Sequence, residues 1–253
     1  MSVPLALPAV PLVRMRMAVA WAVALVCGLA AVAVVRVATA TLPARAPLAE
    51  LAYYPSGQAL RPASLGHAET AADLAWLRAV QYYGEHRRTD VRFVQLEHVF
   101  NVLTSLAPGF EGPYVFGAFA LAQEGHDFPA AERLMLKGIA ANPRSGRLAF
   151  EFGFLNFVRP GGRDLKQAAE WFELAARLPD GPPNSRRFAA FARQHAGDLA
   201  VALQLWDEVR RTSTNPLMRD MAEREIAQLQ DAIRSGRKPS AMRRLSTPVV
   251  ILK

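Results

Sequence analysis

GDLAVALQLWDEVR, residues 197–210, reads as an amphipathic helix behind a Gly-Asp turn. The same phrase occurs twice more. Counting back 34 positions gives RDLKQAAEWFELAA from Arg163, and a further 37 gives HDFPAAERLMLKGI from His126. The columns agree. Asp127, Asp164 and Asp198 coincide, as do Phe128, Leu165 and Leu199. Ala131, Ala168 and Ala202 follow, then Leu134, Trp171 and Leu205, then Met135, Phe172 and Trp206.

Each copy has the marks of the second helix of a pair. The aspartates stand where N-caps belong, just before the apolar periodicity begins. The three alanines are small because two helices must cross closely there, and a larger side chain would overpack the crossing. The large residue four positions on shares that face and fills the space between units. An apolar, small-residue-rich helix precedes each copy: PYVFGAFALAQEG, LAFEFGFLNFV and RRFAAFARQHAG. Pro143, Pro179 and Pro216 punctuate the exits.

The pattern resembles the tetratricopeptide repeat (TPR), a 34-residue helix–turn–helix with an Ala-x-x-x-Phe element and a later proline. Ala131, Met135 and Pro143 fit that element closely; Ala168/Phe172 and Ala202/Trp206 fit with displaced prolines. The longer spacing implies a three-residue insertion at residues 159–162. A degenerate earlier unit fits residues 77–110 through Gly84, Phe93, Phe100 and Pro108, with Leu96 in place of the small crossing residue. The resemblance implies an all-α chain: a TPR-like antiparallel helix-pair solenoid, with units near 69–109, 112–145, 146–180 and 183–216. It also implies a concave face, lined by the first helix of each pair, that binds segments of other proteins. By register that face takes Arg78, Gln81, Glu85, Arg88, Phe116, Gln123, Arg147, Phe150, Phe154, Phe157, Arg187, Phe191 and Gln194. Phe150, Phe154 and Phe157 form an i, i+4, i+7 stripe with two readings, hydrophobic core or an aromatic-plus-arginine binding groove. In the second, Arg147 and Arg187 would read carboxylates.

Outside the repeats, residues 1–16 form a short N-terminal tail. Met17 to Val35 is a 19-residue stretch without a charge, long enough to cross a bilayer as a helix. The expected transmembrane anchor spans 17–36. A cleaved signal peptide is the rival reading, with Ala38-Thr39-Ala40 as its cleavage site. Arg14 and Arg16 on one side nearly balance Arg36 and Arg45 on the other, so orientation rests on the α-amino group, which favours an exported C-terminal domain. Pro43, Pro47, Pro55 and Pro62 mark residues 37–66 as a linker. Helices are expected at about 69–84, with Trp76, Val80 and Tyr83 on one stripe, and at 90–107, capped by Asp90. Residues 216–235 read as a C-terminal capping helix with Leu217, Met221, Leu229 and Ile233 on its apolar face. Residues 236–253 form a basic tail that ends PVVILK.

Net charge is +8, yet all 22 acidic residues lie between Glu50 and Asp231, and that span is near neutral. The excess charge flanks the apolar segment and fills the tail, so no basic folded face points to nucleic acid. The single cysteine, Cys27, excludes a disulfide framework within the chain. The five histidines (His67, His86, His98, His126 and His195) show no metal-ligand spacing, and no phosphate-loop or nucleophile-elbow motif is present. Glu170/Glu173 and Glu223/Glu225 read as solvated helix faces. The expectation is a protein without catalytic residues, cofactor or metal. Three roles stay open: a membrane-anchored scaffold, a structural subunit of a membrane complex, or an assembly factor of the envelope. The resemblance to bacterial membrane-anchored TPR proteins implies a single-pass inner-membrane protein with a periplasmic domain.

Overall fold

The computed structural model describes residues 10–41 and 55–236. The N-terminal tail before residue 10, the linker between 42 and 54, and the basic tail from 237 onward lie outside the described residues, as do the side chains of Arg14 and Arg16. Every regular element in the described residues is helical. Two compact units result, one ending at Glu50 and one beginning at Leu51.

The first unit is α1, Val10–Thr41. Its segment Met17–Val37 is 21 residues long and apolar enough to cross a membrane, and its side chains are exposed. Trp21, Leu25, Val26 and Leu29 are exposed, as is Cys27.

The second unit holds ten helices among the described residues: α2 Gly57–Ala63, α3 Ala68–Arg88, α4 Leu96–Leu106, α5 Glu111–Gln123, α6 Phe128–Ala141, α7 Gly146–Phe157, α8 Leu165–Arg177, α9 Ser185–Ala196, α10 Leu199–Thr212 and α11 Pro216–Ser235. Consecutive helices pack as pairs, α3 with α4, α5 with α6, α7 with α8 and α9 with α10, and α11 closes on α10. Neighbouring pairs stack through α4–α5, α5–α7, α6–α7 and α8–α9. Each crossing follows from the repeated small column. Ala131, Ala168 and Ala202 are fully buried, with Met135, Phe172 and Trp206 buried beside them. Phe172 joins a core with Ala168, Ala169, Ala189 and Ala192, and Trp206 one with Ala190, Ala202, Val209, Ala222 and Leu229.

Several local expectations are corrected. Residues 57–63 are helical, because Ser56 caps α2 by accepting from Ala59 N and the short helix packs on α4. Helix α3 runs past Gly84 to Arg88, and its buried stripe is Ala72, Ala75, Ala79, Tyr82 and His86; Val80 is exposed. Asp90 does not cap α4, which starts at Leu96; its carboxylate accepts from His86 Nδ1 at 2.6 Å and from Arg92 N. On α11 the buried residues are Ala222, Leu229 and Ala232, while Leu217 and Ile233 face solvent. The loop that holds the insertion places Gly161 and Gly162 at positive φ, and Gly197 ends α9 in the left-handed region.

Candidate functional site

Helices α7, α9, α10 and α11 each bring apolar side chains to one cavity. Its volume is about 420 Å³, and its apolar wall is Phe157, Phe188, Phe191, Trp206 and Met221. Arg163, Arg187 and Glu225 bring its charges. Phe157 comes from the last turn of α7, and Arg163 from the insertion loop just after it. On α9, Phe191 lies one turn after both Arg187 and Phe188, at spacings of four and three, so it neighbours each of them on the helix surface.

The aromatic wall is held from behind. Phe188 lies 5.4 Å from Phe150, 6.1 Å from Phe154, 6.3 Å from Phe157 and 5.3 Å from Phe172, centroid to centroid. Phe157 also meets Phe191 at 5.8 Å. These rings are half-buried, except Phe172, which is fully buried. The phenylalanine stripe therefore divides: Phe150 and Phe154 pack with the Phe172 core, and only Phe157 lines the cavity.

Gln194 is buried and lines no surface, which corrects its assignment to the groove. It stands behind the wall as a connector. Its Oε1 accepts from Trp206 Nε1 at 2.8 Å, and its Nε2 donates to Glu225 Oε2 at 2.8 Å. One amide thus satisfies a buried indole N–H and orients the cavity's only carboxylate among the described residues.

The cations are less neutralised. The Arg163 guanidinium sits 5.5 Å from the centre of Phe157 and that of Arg187 5.1 Å from the centre of Phe188. Arg187 Nη1 also reaches Met218 Sδ at 3.8 Å. Among the described residues neither arginine pairs with a carboxylate. Arg193 contrasts with them: Glu173 at 2.7 Å and Asp198 at 3.2 Å hold it and raise its pKa, the Glu173 hydrogen bond contributing most. The cavity is therefore an apolar slot edged by two guanidinium groups that can donate bidentate hydrogen bonds to a carboxylate.

The other expected groove positions do not join it. Phe116 belongs to a separate aromatic cluster, 5.6 Å from Trp76, 5.0 Å from Tyr83 and 5.9 Å from Phe100. Arg78, Gln81, Glu85 and Arg88 lie exposed on α3, Gln123 lies exposed at the end of α5, and Arg147 lies exposed at the start of α7. Arg147 lowers the pKa of half-buried Glu151, but burial outweighs it and the net shift is upward. The register argument missed Phe188, Met221 and Arg163. A signal for Phe188 was present: Phe188, Phe191 and His195 repeat the i, i+3, i+7 spacing.

Among the described residues no group of three or more His, Cys, Asp or Glu is arranged to hold a metal ion. No family model, no curated protein and no solved structure matches this chain.

Proposed function

We propose that the chain is a non-catalytic, membrane-anchored scaffold of TPR-like helix pairs. It holds an extended segment of a partner protein in the slot between α7, α9 and α11. The observation that carries this reading is the slot itself: five apolar walls beside Arg163 and Arg187, neither with a carboxylate partner among the described residues. Such a site suits a bulky apolar side chain flanked by Asp or Glu, as in hot spots where an aromatic anchor sits beside arginine. Helix α1 would tether the module to the membrane, with the helix pairs on the periplasmic side of a bacterial inner membrane.

Fluorescent peptides test this directly. A Leu/Phe peptide flanked by Asp and Glu should bind the detergent-solubilised full chain, weaken with salt, and lose most of its affinity to Arg187→Glu. The same peptide flanked by Lys should bind the Arg187→Glu variant better than the native chain. Equal binding of both peptides by both proteins would remove the groove from the account.

A second reading has its own observation. A methyl group built on Gly28 meets no atom within 4 Å, so α1 presents a bare small-residue face to other helices. The chain would then be a structural subunit of a membrane complex. Replacing α1 with an unrelated apolar span separates the two: a scaffold keeps its partners, and a subunit fails to assemble.

A further inference from the structure

We infer that the exposed face of α3 is a self-association surface, and that two copies of this chain pair there antiparallel about a two-fold axis. This goes beyond the scaffold reading and does not depend on it. Helix α3 buries Ala72, Ala75, Ala79, Tyr82 and His86, and leaves its opposite side open. That open side is apolar at its middle: Leu74 is 59%, Leu77 57% and Val80 40% exposed. Asp73, Leu77, Gln81, Gly84 and Arg88 follow one another at spacings of three and four, so they form one stripe along the helix.

Two features of this stripe have no partner among the described residues. Gly84 sits inside the helix, where glycine is worse than alanine, yet a Cβ there would meet no atom within 4 Å. Asp73 and Arg88 are exposed, and among the described residues neither makes a hydrogen bond or ion pair. Pairing with a second copy explains both. In an antiparallel arrangement centred between Val80 and Gln81, Leu77 lies over the partner's Gly84, where the missing side chain leaves room for it. The same register sets Asp73 opposite the partner's Arg88. Two-fold symmetry makes each contact twice, which is how an isologous interface gains from a short patch. A parallel pairing would set Asp73 against Asp73 and Arg88 against Arg88, so charge selects the antiparallel form. The slot at α7, α9 and α11 uses none of these residues and stays open in the pair.

The test uses the full chain in mild detergent, with Cys27→Ser to remove the native thiol. Light scattering across a wide concentration range should find a dimer. Asp73→Arg and Arg88→Asp should each weaken self-association by at least about tenfold, and the double variant Asp73→Arg/Arg88→Asp should restore it. All three variants should keep their helical circular dichroism, since Asp73 and Arg88 are exposed. Mixing chains that carry Leu77→Cys with chains that carry Gly84→Cys should give a disulfide-linked dimer, and neither variant should form one alone. A chain that stays monomeric throughout overturns the proposal. So does a dimer indifferent to the charge reversals, or a Leu77→Cys thiol that forms its disulfide in native membranes with a different protein.

Discussion

Gln194 shows how much one side chain can organise. It accepts from Trp206 Nε1 and donates to Glu225, both at 2.8 Å and within the fold. Replacing it with alanine strands a buried indole N–H and releases the Glu225 carboxylate. The expected cost is about 1–3 kcal/mol, read as a lower denaturation midpoint in urea, and the Trp206 fluorescence should shift. Glu151 works in the other direction. Burial holds its pKa above the ordinary 4.5, so the folded chain binds its proton more readily than the unfolded chain does. Stability therefore falls as pH rises from the unfolded pKa through the folded one. Glu151→Gln should raise the melting temperature at neutral pH, and the gain should vanish as acid protonates the native carboxyl. A gain that persists unchanged at low pH would mean that packing, and not charge, explains it.

The repeated aspartates are alike in sequence and unlike in use. Asp127 accepts from Ala130 N and Asp164 from Gln167 N, each at 3.0 Å, so both cap their helices. Asp198 makes no side-chain cap bond; its carboxylate turns to Arg193 Nη1 at 3.2 Å. Asp164→Ala should cost about 1 kcal/mol as a lost cap. Asp198→Ala should act through Arg193, so its effect should shrink in an Arg193→Gln background while that of Asp164→Ala stays constant. A second small column lies in the first helices, at Gly117, Gly153 and Ala190. At Gly153 an added Cβ would stand 2.8 Å from Phe172 Cδ1 and 3.1 Å from the carbonyl oxygen of Ala168. Gly153→Ala gains up to about 1 kcal/mol in helix propensity but incurs an overpacking cost of about 1–3 kcal/mol. The clash should win, because the oxygen is backbone and cannot turn away. Thermal unfolding of the variant decides the sign.

At the scale of the whole module, stability is passed between neighbouring pairs. Trp206 and Ala202 of α10 share a core with Ala222 and Leu229 of α11. Removing residues 214–253 uncovers that core and takes away one wall of the slot, Met221 and Glu225. Amide exchange should then accelerate first in α9 and α10, with α3 to α6 keeping their protection, as expected of nearest-neighbour coupling. Uniform acceleration across all helices would instead mark the module as a single cooperative block.

The all-helical pairing was legible in the sequence because it rests on periodicity and on side-chain volume. A small residue recurring at each crossing, and a large one a turn later, permits few other packings. The apolar span of α1 was legible for the same reason, since a helix long and apolar enough to cross a bilayer is read directly from length and composition. The candidate site was legible only in part. Phe157, Arg187 and Phe191 could be named from register, but Phe188, Met221 and Arg163 come to the slot from another turn, another helix and a loop. Gln194 and Phe191 stand three apart on the same helix, yet one turns inward and the other lines the cavity. Local spacing tells which residues share a face. Which part of that face is covered depends on where the next helix lies, and only the tertiary packing of α10 and α11 decides that.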